Sequence, residues 1–531
     1  MFTNRKRVVF LSICFVLIVL LSSCAGGPEE PYLPVDGEAY IDIDDMENNR
    51  EEPAQIELPQ DERTTLQILL DIANERRASI EKVNEETVRE LAYRRDFTFY
   101  DLSHIMMSPT DTWHMPPTIT ADEAIADTET LFEVLRYVYG AYLYFGGDEV
   151  FTSAKERIIE DIRQDGDSYL TGQFFRILYQ HLSPIIRDNH FSVGGIPFGP
   201  DYRFLVSRDI YFDRVEQRFR NRETGLHIKE IVGHDMADIL RLQLDESGRH
   251  FYAPVIQREG GSIDPETLTI LYEDGTSEYL ELRIALPSEN VFQSPSSLTH
   301  VDGYPVVSLE RMMGMSAVPY GVYAHAFLSY AEELRDEPVV ILDLRSNEGG
   351  TPVLSPKWMY LLTGEVVREN FIQLRNWDME LEYPWTPWGD TPETNPSYFS
   401  YEDMENLEFL LCEVSINGFS VRNLTERHIV EREQVLIVLV DRYTGSAGDA
   451  FADLAFNVEN TLVIGQNTAG VLISDMAYPL LRMPNSGIPF GLGRSIHLHP
   501  EGHFAEGIGF RPDVWVTGDA LAAAIAMLSN G

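Results

Sequence analysis

Val440-Asp441-Arg442-Tyr443-Thr444-Gly445-Ser446-Ala447-Gly448-Asp449 is the stretch on which the fold reading turns. An unbroken apolar run, 435–440, leads into it and has the character of a buried strand; the loop is short, and a helix is expected from Ala447 to about Val458. A serine at that junction sits over the positive end of a helix dipole, which favours an alkoxide-like nucleophile and the oxyanion formed after attack. Ser446-x-x-Asp449 also satisfies a plain helix N-cap, so the tetrapeptide alone has two readings. A second junction has the same form: Leu342-Asp343-Leu344-Arg345-Ser346-Asn347-Glu348-Gly349-Gly350 runs from a buried strand into paired glycines, whose backbone can approach a ligand closely.

Around these junctions apolar strands alternate with helical patterns. Strands are expected at 306–309, 339–344, 435–440 and 462–464, with a helix near 320–334, which argues for an α/β domain over 301–531. Within it, residues from about 364 to 432 turn aromatic and proline-rich, including Pro384-Trp385-Thr386-Pro387-Trp388, and read as an insertion or lid. Upstream, 196–300 shows short alternating stretches (267–271, 279–284) about an Asp274-Gly275 turn and reads as a small β-rich middle region. Residues 61–195 read as an N-terminal helical region, with a Thr120-x-x-Glu123 capping box and a face of Phe174, Leu178 and Leu182 closed by Pro184.

The 531-residue length suits about three domains. A formal charge of -44 would repel a phosphate backbone, so nucleic acid is excluded as a partner. Arg5, Lys6 and Arg7 precede an apolar run, 8–21, interrupted only by Ser12. It is shorter than the ~20 residues that span a bilayer and reads as the core of a signal peptide over 1–23. Leu21-Ser22-Ser23-Cys24 resembles a bacterial lipobox, which implies a lipidated Cys24 and a protein anchored in the cell envelope on the extracytoplasmic side. Residues 24–60 then form an acidic, proline-bearing tether.

Four pieces in order, Asp343 to Gly350, Val440 to Asp449, Ile464 to Gly470 and Glu506 to Asp513, resemble the C-terminal-processing (tail-specific) serine peptidases and their tricorn-like relatives. The resemblance implies a crotonase-like α/β spiral core, a peptide or protein substrate and no cofactor. Carried over by motif, it makes Ser446 the nucleophile and the N–H groups of Gly350 and Ala447 the oxyanion hole, where donors meet the charge that develops in acyl transfer. The better-known branch takes a lysine as base, but the matching position here is Val471, and none of the five lysines follows Ser446. The tricorn-like branch takes a histidine from an Asp-x-His-like turn, matched by Asp188-Asn189-His190, and a carboxylate from the closing motif, matched by Glu506. His190 is therefore the candidate general base, with Glu506 orienting it directly or through another polar side chain.

Asp449 stands where the family usually has glutamate, and no Gly-Leu-Gly-Phe-like carboxylate loop marks the middle region as a PDZ module. His497, His499, His503 and Glu506 could be imagined as a zinc site, but His-x-His on a strand merely puts two rings on one face, neither a His-Glu-x-x-His helix nor a paired-cysteine motif accompanies it, and no metal is expected. Two functions follow: an envelope-anchored serine endopeptidase, or an inactive lipoprotein of the same fold that binds peptide or another ligand. The sequence sets neither the oligomeric state nor the peptide cut.

Overall fold

The computed structural model describes residues 63–92, 102, 104–107, 114–164, 166–207, 209–260, 264–286, 295–312, 320–376, 413–475, 481–500 and 503–530. The signal segment, Cys24, the tether, Cys412 and the Trp385/Trp388 stretch lie outside the described residues.

The α/β expectation is met. Strands Tyr304–Leu309, Val339–Asp343, Val435–Val440, Thr461–Gly465 and Val514–Trp515 lie side by side and parallel. Their near-continuous apolar sequences follow from burial on both faces, and alternation sends neighbours to different cores. Val340, Leu342, Val438 and Val440 pack towards the helices Tyr320–Glu333, Leu354–Thr363 and Ala447–Ala455. Ile341, Ile437 and Leu439 face the other way, onto Leu69 and Ala73 of helix Thr65–Ala78 and onto helix Ala520–Ser529. The helix after Ser446 ends at Ala455, three residues before the expected limit, where Asn457 and Val458 close the turn on the backbone carbonyls of Leu454 and Ala455.

Residues 202–284 supply antiparallel strands, among them His250–Glu259, Glu266–Tyr272 and Ser277–Ile284. The last two meet at Asp274-Gly275, where Gly275 has φ 87° and Asp274 accepts the Thr276 N–H at 2.9 Å. Strand Leu240–Leu244 joins this region to the parallel sheet by pairing with Val514–Trp515.

In the N-terminal region, the box at helix Ala121–Val138 closes in both directions: Glu123 accepts the Thr120 N–H at 2.8 Å and Thr120 Oγ1 accepts the Glu123 N–H at 3.2 Å. That helix, Gly147–Gln164 and Thr171–Leu182 pack on a four-stranded sheet that includes Ile372–Asn376, Phe419–Arg422 and Ser495–Leu498. Two of those strands come from the stretch read as insertion, whose described part is thus a floor for the helices. This packing carries the turn after Thr171–Leu182, residues 188–191, onto the ends of the parallel strands. Among the described residues no helix is long and apolar enough to cross a membrane.

Candidate active site

Ser446 has φ 56° and ψ −118°, a conformation outside the regions open to ordinary L-residues, at the turn between strand Val435–Val440 and helix Ala447–Ala455. Several polar ties hold it there. Asp441 accepts N–H groups from Tyr443 and Thr444 within its own loop and from Ser346 across the neighbouring one, at 3.0, 3.1 and 2.9 Å. Burial raises the Asp441 carboxyl above the ordinary range, against the pull of these donors. Asn347 closes the glycine loop by accepting the Gly349 N–H on its side chain at 2.8 Å, and its backbone carbonyl takes the Gly445 N–H at 2.9 Å.

Gly349, at φ 87°, lies against the serine turn so closely that a Cβ there would sit 2.5 Å from the Gly445 carbonyl oxygen and 2.7 Å from the Ala447 nitrogen. The next residue, Gly350, at φ 136°, is fixed by a parallel bridge to Met312. Ala447 opens its helix, so its N–H has no intrahelical acceptor. The glycine loop and the helix start thus share one edge of the turn that carries the half-buried Ser446.

His190 comes to this turn from 256 residues away. Its Nε2 is 3.2 Å from Ser446 Oγ, within hydrogen-bond range, and the residue is 6% exposed. Its own N–H is accepted by Asp188 Oδ1 at 2.8 Å, while Asp188 Oδ2 accepts from Tyr139 Oη at 2.7 Å and Ser474 Oγ at 2.6 Å. Nδ1 of the ring has no hydrogen-bond partner among the described residues.

Glu506 is in the site, and its hydrogen bonds among the described residues go to backbone N–H groups rather than to the imidazole. Its Oε1 accepts the Asn189 N–H at 2.8 Å, and Oε2 accepts those of Leu472 and Ile473 at 3.1 and 2.8 Å. It therefore holds the backbone of the turn carrying His190. Burial, then the negative charge of Asp188, pushes its carboxyl well above the ordinary range, against those three N–H groups.

Five consecutive residues serve as the common anchor. Gly470 and Val471 donate N–H groups to Asp449 at 3.1 and 2.9 Å, Leu472 and Ile473 donate to Glu506, and Ser474 donates its hydroxyl to Asp188. Each carboxylate also takes a backbone N–H from the reacting turns: Asp449 from Ser446 at 2.8 Å, Glu506 from Asn189, Asp188 from His190. Asp449 is fully buried, which raises its carboxyl above the ordinary range in spite of these donors. Val471, at the position of the other branch's lysine, contributes its backbone. Asp188, Ser474, Tyr139, Asn347 and Asp441 were not singled out as site residues from sequence; only Asp188, two residues before a candidate histidine, carried a local signal.

The imagined zinc ligands do not converge. His497 Nδ1 donates to the Leu472 carbonyl at 2.6 Å and its Nε2 meets Gln373, His503 meets Asp453 at 3.1 Å, and His499 stacks on Phe504. Among the described residues no three His, Cys, Asp or Glu are arranged to hold a metal ion.

A serine hydroxyl within hydrogen-bond range of an imidazole, at the end of a parallel strand, is an arrangement of the serine-hydrolase kind. More narrowly, residues 315–516 match Peptidase family S41, and the chain carries a domain of that family. The match contains Ser446, Gly350, Ala447 and Glu506; His190 lies before it. No curated protein matches the chain. Similar solved structures include mature CPAF (17% identity, 77% of this chain and 95% of that one, TM-score 0.36). The photosystem II D1 C-terminal processing protease is similar at 13% identity (75% and 94%, TM-score 0.32), and the tricorn protease at 13% (77% and 35%, TM-score 0.28).

Proposed function

We propose that the protein is an envelope-anchored serine endopeptidase working by Ser/His acyl-enzyme chemistry. In this reading His190 Nε2 takes the Ser446 proton as Oγ attacks the scissile carbonyl carbon. The tetrahedral oxyanion is met by the N–H groups of Gly350 and Ala447. The proton passes from His190 to the leaving amine, and a water activated by the same imidazole hydrolyses the ester. Asp188 and Glu506 position the turn that carries the base. The single observation that supports the reading most is the 3.2 Å between His190 Nε2 and Ser446 Oγ, across 256 residues of sequence.

The test is cleavage of an unfolded protein substrate. The parent should cut it, Ser446→Ala should abolish cutting, and His190→Ala should lower kcat by about 10³-fold or more, in line with loss of one member of such a dyad. A His190→Ala variant with full activity would remove the proposed base. One observation favours the second reading, an inactive lipoprotein that binds peptide or another ligand: among the described residues the buried His190 Nδ1 has no acceptor of the kind that usually steadies an imidazolium. Absence of cleavage by a folded parent would favour it.

Anchoring through an acyl group on Cys24, with the folded part outside the cytoplasm of a bacterium, is proposed from the Leu21-Ser22-Ser23-Cys24 segment and the preceding apolar run. Metabolic labelling with a fatty acid should mark the parent and fail on Cys24→Ala. Equal labelling of both would refute it.

A further inference from the structure

A chain of formal charge -44 gathers five arginines around one cavity of about 460 Å³, well away in sequence from Ser446. Arg76 comes from helix Thr65–Ala78, Arg214 and Arg218 from the hairpin 212–221, Arg241 from strand Leu240–Leu244 and Arg511 from the approach to strand Val514–Trp515. Only two carboxylates, Asp235 and Asp513, line the same space. Both are committed: Asp235 caps its own short helix through the Ala237 N–H, and Asp513 takes Arg76, the buried Arg77 and the Val463 N–H. Arg218 pairs with Glu273. Arg214, Arg241 and Arg511 form no ion pair among the described residues; Arg241 donates a hydrogen bond to the Ala237 carbonyl at 3.4 Å, and the charge of Asp238, outside the lining, acts on both Arg241 and Arg511.

With Asp513 shared by Arg76 and Arg77 and Asp238 facing both Arg241 and Arg511, the cavity keeps an excess of positive charge that a bound anion would answer. Burial, with the Arg241 charge next, pulls the Arg511 guanidinium down to about 10, and burial lowers Arg76 to about 10 as well. The floor is apolar, with Phe219, Leu240 and Trp515. A cavity of this size with an apolar floor and a guanidinium rim matches side chains of both kinds. One terminal carboxylate would occupy one or two guanidiniums; several spread around the rim suit several carboxylates. The overall negative charge does not forbid such a ligand, because exposed charges are largely screened beyond a Debye length of about 8 Å at physiological salt, whereas the rim acts at contact.

We propose that this cavity is an exosite for polypeptide segments that carry clustered Asp or Glu side chains beside apolar ones. It rests on the peptide-substrate reading of the site and adds to it a class of sequence: acidic stretches would be held here while another part of the same chain is presented to Ser446.

The test is fluorescence anisotropy on the full-length chain bearing Ser446→Ala, so that binding is read without turnover and loss of catalysis does not affect the outcome. The probe is a dye-labelled, C-terminally amidated twelve-residue peptide with four Glu and four Leu; its control has Gln in place of Glu. The expected result is at least 10-fold tighter binding of the Glu peptide, reduced at least 10-fold by Arg214→Glu combined with Arg511→Glu, and weakened by added salt. Arg214 is exposed, and thermal melting checks that the paired substitution folds; Arg241→Gln, which keeps a polar side chain, should lower affinity in the same direction by itself. Equal affinity for the Glu and Gln peptides, or affinity unchanged by the arginine variants, overturns the proposal. Binding seen only with a free C-terminal carboxylate overturns it too, since the pocket would then capture chain ends.

Discussion

The Glu506 carboxylate accepts the backbone N–H of Asn189 at 2.8 Å, one residue before His190, and makes no hydrogen bond to the imidazole among the described residues. Its second oxygen accepts from Leu472 and Ile473, so this one side chain fastens the histidine turn to the segment that, one residue earlier, is fastened through Asp449 to the serine turn. The distance between base and nucleophile is therefore set by buried carboxylates bridging backbone amides.

Glu506→Gln replaces one acceptor oxygen by an NH₂ that cannot receive an N–H, so one or two of the three backbone donors lose their partner. Unsatisfied buried donors cost about 1–3 kcal/mol each. We expect kcat to fall by roughly 10–100-fold with KM changed less than about twofold, because the loss is of geometry at the reacting atoms. Steady-state kinetics on a peptide substrate checks this; a change confined to KM would show that Glu506 contributes to substrate binding.

The strained backbone at Ser446 gives a prediction that separates fold from chemistry. A glycine adopts φ 56°, ψ −118° without the Cβ penalty, which for such conformations is about 1–3 kcal/mol. Ser446→Gly and Ser446→Ala should both be inactive, yet the glycine variant should be the more stable by about 1 kcal/mol, measured by chemical denaturation. The smaller figure allows for glycine's greater freedom in the unfolded chain. Equal stabilities would mean that the turn is relaxed.

Gly349→Ala should damage the site without touching a reacting group. The added methyl would meet the Gly445 carbonyl oxygen, the Ala447 nitrogen and the Ser446 Cβ, all at 2.8 Å or less, and the residue would keep φ 87°. The turn has to shift, and a displacement of about 1 Å is worth on the order of 100-fold in rate. The expected outcome is at least that loss in kcat, with stability lowered by more than about 1 kcal/mol.

His499 governs part of the acid limb of stability. Both its ring nitrogens are buried with no hydrogen-bond partner among the described residues, between Phe371, Phe504 and Phe510, and burial lowers its pKa from 6.5 to about 3, opposed by the charge of Asp453 and assisted by those of His497 and His503. Above pH 6.5 folded and unfolded chains both carry it neutral and it contributes no pH dependence. As pH falls below that, the unfolded chain binds a proton the folded one does not, so stability is lost progressively until about pH 3, by roughly 3–5 kcal/mol in all. His499→Phe should remove this loss and flatten the melting temperature against pH between about 6.5 and 3. A parallel curve for both proteins would contradict the assignment.

What was legible in the sequence divides along physical lines. Ser446, Ala447 and Gly350 sit in segments whose local pattern, apolar strand then turn then helix or paired glycine, carries its own meaning. His190 had only a short Asp-x-His turn and a family resemblance, because no local rule places two groups 256 residues apart. Helix Gly147–Gln164 had its signal in Phe151, Ala154, Ile158 and Ile162 at helical spacing, and the sequence reading passed over it. The anchoring roles of Asp188, Ser474 and Glu506 were not legible in detail, since they depend on which backbone amides the folded chain brings to each carboxylate. The strands Ile372–Asn376 and Phe419–Arg422 were hidden inside an aromatic, proline-rich stretch because each is only four or five residues long and borrows its apolar face from the packed helices.

The central claim, that His190 activates Ser446 for acyl transfer, is tested most directly by treating the full-length protein with a fluorophosphonate and locating the adduct by peptide mass mapping. The account predicts a single adduct on Ser446 in the parent, formed at least 100-fold more slowly in His190→Ala and absent in Ser446→Ala. No adduct on a folded parent, or one formed on Ser446 at an unchanged rate without His190, would contradict it.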